Sequence, residues 1–451
     1  MKNNLLKRGF VVPLTITFVV LLTVSVGVYV YVNKSSVYPQ KEIIPGPGDT
    51  TQEKTIATST VIKPSTPTVK VATIESLNSV INANNQFAFE MYSKLKKDNE
   101  NLFFSPYSLS SALAMTYEGV KGKTAEEIQK VFHFPVDDNT RRSGYATIYN
   151  QINTTNSKYK FSIANALWIQ NDYKILDEYI NTIKNYYFGI ATNLDFANKV
   201  EASRLTINKW VEDQTNNKIK NLFPAGTLDS TTRLVLTNAV YFKGSWVKPF
   251  KKDQTTDEDF STFSGSIKVP MMQMTDSEAK FNYVENDTLQ ALEMPYEGDK
   301  LSMVIILPKS KDLTSFEDGL SLKLITDLKN QMLNNRVDIF IPKFTFDTKY
   351  DMEETLGKMG MTNAFSSSAD FSGLDGTKNL YIQKVIHQAF VDVNEEGTEA
   401  AAATGVAIAL TSFMPPEEIP VFRANHPFIF IIQDKTNSNI LFIGKVVNPI
   451  K

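Results

Sequence analysis

No cysteine occurs in the chain, which rules out disulfide bridges, thiol nucleophiles and cysteine-ligated zinc. Histidine is almost as scarce. His133, His387 and His426 are the only three, too few for a histidine-rich metal site, and no metal or other cofactor is expected. Neither sign of charge prevails, since 47 Lys plus Arg face 49 Asp plus Glu, so no global field draws the chain to nucleic acid. Partners must be chosen by local surface.

Catalytic signatures are missing as well. There is no G-x-S-x-G elbow, no H-E-x-x-H pair and no paired acidic calcium loop. Gly122-Lys123-Thr124 ends like a phosphate loop, but the earlier glycine such a loop needs is replaced by Tyr117, so the stretch reads as a loop before a helix starting at Thr124. His387 alternates with apolar residues in Val385-Ile386-His387-Gln388-Ala389-Phe390-Val391, the pattern of a buried, hydrogen-bonded histidine on a strand. His426, before Pro427, likewise reads as structural. An enzyme is not expected.

What is present is ordinary globular matter: 42% hydrophobic, 11% aromatic and 21% charged residues, enough for a sizeable core. The 451 residues accommodate two or three average domains or one large one. The N-terminus differs from the rest. Residues 1–9 carry Lys2, Lys7 and Arg8, and Phe10 to Val32 then run without a charge. As a helix that run rises about 34 Å, enough to cross a hydrocarbon core of about 30 Å, so residues 10–32 read as a transmembrane signal anchor. The alternative is a signal peptide cleaved near Gly27, where Ser25 and Gly27 are spaced as a peptidase site requires. Basic residues ahead of the run keep residues 1–9 in the cytoplasm and place the chain beyond residue 32 outside, either anchored or, after cleavage, secreted. An extracytoplasmic chain without cysteine fits a prokaryotic source better than an animal one.

Residues 33–73 are rich in Pro, Thr, Ser and Lys, as in Pro45-Gly46-Pro47-Gly48 and Pro64-Ser65-Thr66-Pro67, and show no apolar face. They read as a semi-extended stalk. One domain then occupies 74–451, with no second linker and no internal repeat. Helical spacing appears through Phe87, Phe89, Met91, Tyr92 and Leu95, from Ser108 to Tyr117 after Ser105-Pro106, and from Arg204 to Asn216. Strands are expected at Leu234–Phe242, Leu301–Leu307, Val337–Ile341, Val385–Val393 and Phe428–Ile432. Helices early and strands late indicate an α+β fold with large sheets.

One segment fits no core element. Glu395-Glu396-Gly397-Thr398-Glu399-Ala400-Ala401-Ala402-Ala403-Thr404-Gly405 comes after a strong strand and is small and flexible; on composition alone an Ala-rich helical linker is an equal reading. The mixed apolar run Val406 to Met414 and Pro415-Pro416 come next, and Phe422-Arg423-Ala424-Asn425-His426-Pro427-Phe428 opens another strand. This arrangement resembles the hinge, reactive loop and C-terminal signature of the serpins. Five further blocks match in order: Asn101 to Ser108, Leu236 to Trp246, Asp338 to Phe344, Val385 to Ala389 and Leu441 to Val446.

The resemblance implies about nine helices around three sheets, an exposed reactive loop, and a monomer that traps serine endopeptidases as a suicide inhibitor. After attack on the loop, the freed hinge (Glu395, Gly397, Thr398, Ala400, Ala402, Thr404) would insert into the central sheet and distort the acyl-enzyme. Family spacing from Gly397 puts the scissile bond at Thr411-Ser412, within a window of Leu410, Phe413 and Met414. Ser105, Asn238 and His387 would form a polar shutter beneath the sheet, and Trp246 would cover the hinge entrance. The alternative is a non-inhibitory serpin acting as a binder or scaffold.

Parity favours the inhibitor. An inserted strand alternates its side chains, and Thr398, Ala400, Ala402, Thr404, Val406 and Ile408 form one uncharged face, while Glu399, the only charge, falls on the other. Thr398 is expected to be solvated until the loop is cut. No Lys or Arg occurs between Ala400 and Ile419, so elastase-, subtilisin- or chymotrypsin-like pockets suit the loop better than trypsin-like ones.

Overall fold

The computed structural model describes residues 72–153, 158–398 and 418–450. The expected anchor, nearly all of the stalk, and the loop from Glu399 to Glu417 lie outside these residues. Among the described residues no helix is long and apolar enough to cross a membrane.

The first helix, Ile74–Leu95, is capped by the Thr73 hydroxyl, which accepts from the Ser76 N–H, and buries Phe87, Met91 and Tyr92 on one face. Pro106–Tyr117 starts as its sequence requires: Ser105 caps it by accepting from Ser108 N–H, and Pro106 supplies a first-turn residue with no orphan donor. Its residues through Thr116 are buried on all sides, because it runs under the sheet that carries the functional site. Ten α-helical segments, two of them single four-residue turns, and two three-residue 3-10 turns occur among the described residues, together with three sheets. The α+β reading stands.

The expected strands appear with longer bounds, at Leu234–Ser245, Leu301–Pro308, Asp338–Pro342, Lys384–Asn394 and Phe428–Asp434. A seven-stranded and a four-stranded sheet pack with a six-stranded one. In the last, Phe344–Asp351 lies at one edge, followed by Lys384–Asn394, Leu234–Ser245, Tyr159–Gln170 and Ile190–Leu194, with the two-residue strand Gly397–Thr398 wedged between the second and third. Both faces of Leu234–Ser245 are covered, which explains its nearly continuous apolar run. Leu234, Leu236, Val240 and Phe242 face the main core, and Val235 and Ala239 face a second cluster built with Ile207 and Val211 of the Phe196–Gln214 helix.

One seam in this sheet is unlike its neighbours. Lys384–Asn394 and Leu234–Ser245 run parallel, in register from Lys384 opposite Val235 to Phe390 opposite Tyr241, yet the strands outside them, Phe344–Asp351 and Tyr159–Gln170, pair antiparallel. Parallel pairing is slightly weaker per residue than antiparallel pairing. A strand running the other way, entering here, would make every one of its contacts antiparallel.

Candidate functional site

At the head of the seam the two parallel strands separate and the chain turns back between them. Gly397–Thr398 pairs antiparallel with both sides: Thr398 opposite Val393 and Gly244, and Gly397 opposite Asn394 and Ser245. Gly397 has a φ of +150°, and a β-carbon on it would stand 2.1 Å from the Gly244 carbonyl oxygen and 2.7 Å from the Ser245 Cα. Only glycine fits this approach.

The turn feeding this short strand is pinned at each residue. Trp246 N–H donates to the Glu396 carbonyl (2.9 Å), Phe250 N–H to the Glu395 carbonyl (2.8 Å), and the Trp246 indole N–H to the Asn394 carbonyl (3.1 Å). The Glu395 carboxylate is nearly buried and accepts from Lys343 Nζ and the Thr255 hydroxyl, each at 2.9 Å. Burial pushes its carboxyl upward, but a hydrogen bond from its own backbone, Lys343 and Thr255 outweigh that and hold it below its ordinary value. Glu396 pairs with Lys252 at 2.6 Å. Trp246 stacks on Tyr296 with centroids 4.6 Å apart, and the Tyr296 hydroxyl lies 2.7 Å from the Thr398 hydroxyl.

Lower in the sheet a polar row crosses the seam. Asn165, Asn238, His387 and Tyr350 occupy matched positions on four neighbouring strands. Ser105 N–H donates to His387 Nε2 at 3.1 Å, so that nitrogen carries no proton and Nδ1–H donates to the Asn238 side-chain oxygen. Asn238 Nδ2 in turn reaches the Ser108 carbonyl (3.0 Å), the Ser108 hydroxyl (2.7 Å) and Asn165 Oδ1 (2.5 Å), and the Ser105 hydroxyl donates to the Leu441 carbonyl (2.6 Å). The His387–Asn238 bond joins the two parallel strands, so opening the seam must break it.

The structure thus brings Ser105, Asn238 and His387 together at the middle of the seam and Glu395, Gly397, Thr398 and Trp246 at its head. Ala400, Ala402, Thr404 and the bond window Leu410, Thr411, Ser412, Phe413 and Met414 lie outside the described residues. The chain resumes in Val421–Arg423, which pairs parallel with Asp338–Pro342 in the four-stranded sheet. His426 is structural, with Nε2 donating to the Pro308 carbonyl at 2.7 Å.

A family model described as serpin (serine protease inhibitor) matches residues 82–449. The chain belongs to the serpin family. A serpin-like protein of Methanosarcina acetivorans is 44% identical over 376 residues, covering 82% of this chain and 86% of that one. The leukocyte elastase inhibitor of Xenopus laevis is 40% identical over 385 residues, covering 83% and 100%. Uncleaved ovalbumin superposes with a TM-score of 0.74 at 32% identity, covering 82% of this chain and 100% of that one. Serpins as a family inhibit proteases and do not catalyse, in agreement with the missing catalytic motifs.

One expectation for this serpin is corrected. Thr398 is not solvated in the uncut chain: it is 1% exposed, strand-paired on both sides and packed on Tyr296. The seated turn satisfies more backbone groups than a solvated hinge would, and the glycine at 397 lets it fit. The direction of the Thr398 side chain, inward, is the one parity required.

Asn165, Ser108 and Tyr296 are hydrogen-bond partners of these residues that sequence reasoning did not single out. Ser108 stood inside a matched block, but nothing local marks Asn165, which reaches Asn238 only through the register of two strands 73 residues apart.

The His387 network makes a prediction about acid. Burial pushes the imidazole down to about 3, whereas unfolded it titrates near its ordinary 6.5. Between those values the unfolded chain binds the extra proton, so stability falls as pH drops from 6.5, by about 1.4 kcal/mol per unit. His387→Gln lacks this dependence. Its stability deficit relative to wild type, measured by denaturant melts at pH 7, should shrink by about 2 kcal/mol at pH 5. A deficit that does not change with pH would contradict the buried neutral histidine.

Proposed function

We propose that this serpin is a suicide-type inhibitor of serine endopeptidases, in which the cleaved loop continues the Gly397–Thr398 strand down the parallel seam. The observation that carries the reading is the register of those two residues, already antiparallel to both flanking strands. As the loop advances one residue, each partner number falls by one. Six residues past Thr398, Thr404 meets Asn238 (244 − 6) and His387 (393 − 6), so a hydroxyl arrives where the shutter bond is broken. Glu399 meets Lys243 and Asp392 on the outer face, where a charge stays in water.

The bond attacked is Thr411-Ser412, or one within Leu410 to Met414, and the targets are elastase-, subtilisin- or chymotrypsin-like enzymes. The name of the Xenopus relative and the lack of Lys or Arg between Ala400 and Ile419 support that choice. The domain acts outside the cell as a monomer, on an anchor at residues 10–32 or after release by cleavage near Gly27, and the uncharged run behind three cations supports this placement.

Incubation with a panel of such proteases, then a denaturing gel and sequencing of the released peptide, is expected to give a covalent complex and a new N-terminus between residues 411 and 414. Cleavage without a complex would mean a serpin that binds or scaffolds and does not trap. Cell fractionation tests the location: an intact N-terminus on soluble cytoplasmic protein would defeat it.

A further inference from the structure

Tyr296 is held from three directions. Its backbone bridges to Trp246, its ring stacks on the Trp246 indole at 15°, and the Phe242 ring meets it edge-on with centroids 5.0 Å apart. A side chain on Gly244 would collide with it, since a β-carbon there would stand 2.9 Å from Tyr296 Cδ1. Gly244 therefore makes room for the ring directly beside the residue it pairs with, Thr398. The phenol is fully buried, burial pushes its titration well up, and its hydroxyl is a fixed protonated group whose hydrogen-bond partner is the Thr398 hydroxyl.

A hydroxyl fixed in this way reads the residue that sits against it. Sliding the turn by one places Gly397 or Glu399 at the Thr398 position, and sliding it by two places Glu396 or Ala400 there. Gly397 and Ala400 leave the phenol without a partner, and Glu396 and Glu399 bring a carboxylate into the core. Each is worse than Thr398. We infer that Tyr296, together with the close approach that only Gly397 permits, sets the register of the inserting strand: it fixes Thr398 as a seated nucleus, from which insertion continues with Glu399 and without a search for alignment.

The consequence for trapping rests on the inhibitory reading; the seating itself does not. Insertion competes with hydrolysis of the acyl-enzyme, so a nucleus already in register shortens the step that must win. Tyr296 is a positioning residue, and its loss should alter partitioning between the two fates more than the rate of first attack.

Two measurements test this on the whole chain. In Tyr296→Phe, which keeps the ring, hydrogen exchange of the Asn394–Thr398 segment should rise about five- to tenfold, and Trp246 emission should shift to the red as its stacked neighbourhood loosens. With a protease that wild type traps, inhibitor consumed per enzyme silenced should rise at least about threefold while the association rate changes less than about twofold. The double variant Tyr296→Phe with Thr398→Val removes both hydroxyls and leaves neither orphaned, so it should recover most of the protection. Wild-type exchange in Tyr296→Phe, or a double variant as exposed as the single one, would overturn the assignment. A wild type that traps no protease would instead remove the inhibitory reading and leave the exchange result to stand by itself.

Discussion

Cutting the uncleaved protein at any single bond between Leu410 and Met414 should raise its melting temperature by about 10 °C or more. The parallel seam, seven residue pairs from Lys384 opposite Val235 to Phe390 opposite Tyr241, would be replaced by two antiparallel ladders on either side of the new strand. Residues 400, 402, 404, 406 and 408 would bury an uncharged face against the main core. For a domain of roughly 380 residues the unfolding entropy is about 0.8 kcal/mol per kelvin, so each net kcal/mol moves the midpoint by about 1.2 °C. Calorimetry before and after limited proteolysis, with the cut mapped by mass spectrometry, gives the answer. A midpoint that stays or falls would mean that the loop does not insert.

The second large effect is expected from charge placed on the inward face of the loop. Extending the register puts Ala400 opposite Phe242 (244 − 2) and Val391 (393 − 2), with its side chain toward the main core as Thr398 has its own. Ala400→Arg buries an unpaired guanidinium only when insertion passes that point, at a cost of several kcal/mol. Every 1.4 kcal/mol slows insertion tenfold against a hydrolysis step that keeps its own rate. Inhibitor consumed per protease silenced should therefore rise more than about tenfold, with released protease active and the uncut melting temperature unchanged. Glu399→Arg is the control, because its side chain leaves on the solvent face between Lys243 and Asp392; it should change consumption less than about threefold. Thr398→Arg does not separate the two steps, since Thr398 is already packed on Tyr296 and the substitution would also lower the uncut melting temperature. Equal effects from Ala400→Arg and Glu399→Arg would reject the parity argument.

Much of the site was legible because its parts are encoded locally. Ser105 announced itself as a cap before Pro106 and His387 alternated with apolar residues along its strand, whereas Asn238 was marked only by the block that resembles the family's. The hinge showed a run of small residues whose single charge obeys a period of two. Such patterns record which side of an element is buried, because the period of a strand or helix is a property of its own backbone. Strand ends were less visible: Leu234–Ser245 outruns its apolar core by three residues, since Lys243, Gly244 and Ser245 pair with Tyr159, Lys160 and the Gly397–Thr398 turn rather than fill the interior. Tyr159–Gln170 escaped notice altogether, because its small and polar residues Ala164, Asn165 and Ala166 suit a strand covered on both faces and give no clean alternation.

By itself the sequence determined the family, the α+β character and the small uncharged face of the loop, all written in neighbouring residues or in blocks along the chain. Tertiary structure alone decided that Thr398 is already seated, that Asn165 joins the Asn238–His387 network and that Tyr296 stands against Thr398. The physical reason is separation. Tyr296 and Thr398 are 102 residues apart, and Ser105 and His387 are 282 apart. A burial pattern says that a side chain is covered but not by what, and a cover drawn from so far along the chain is fixed only when the sheets close and each strand takes its register.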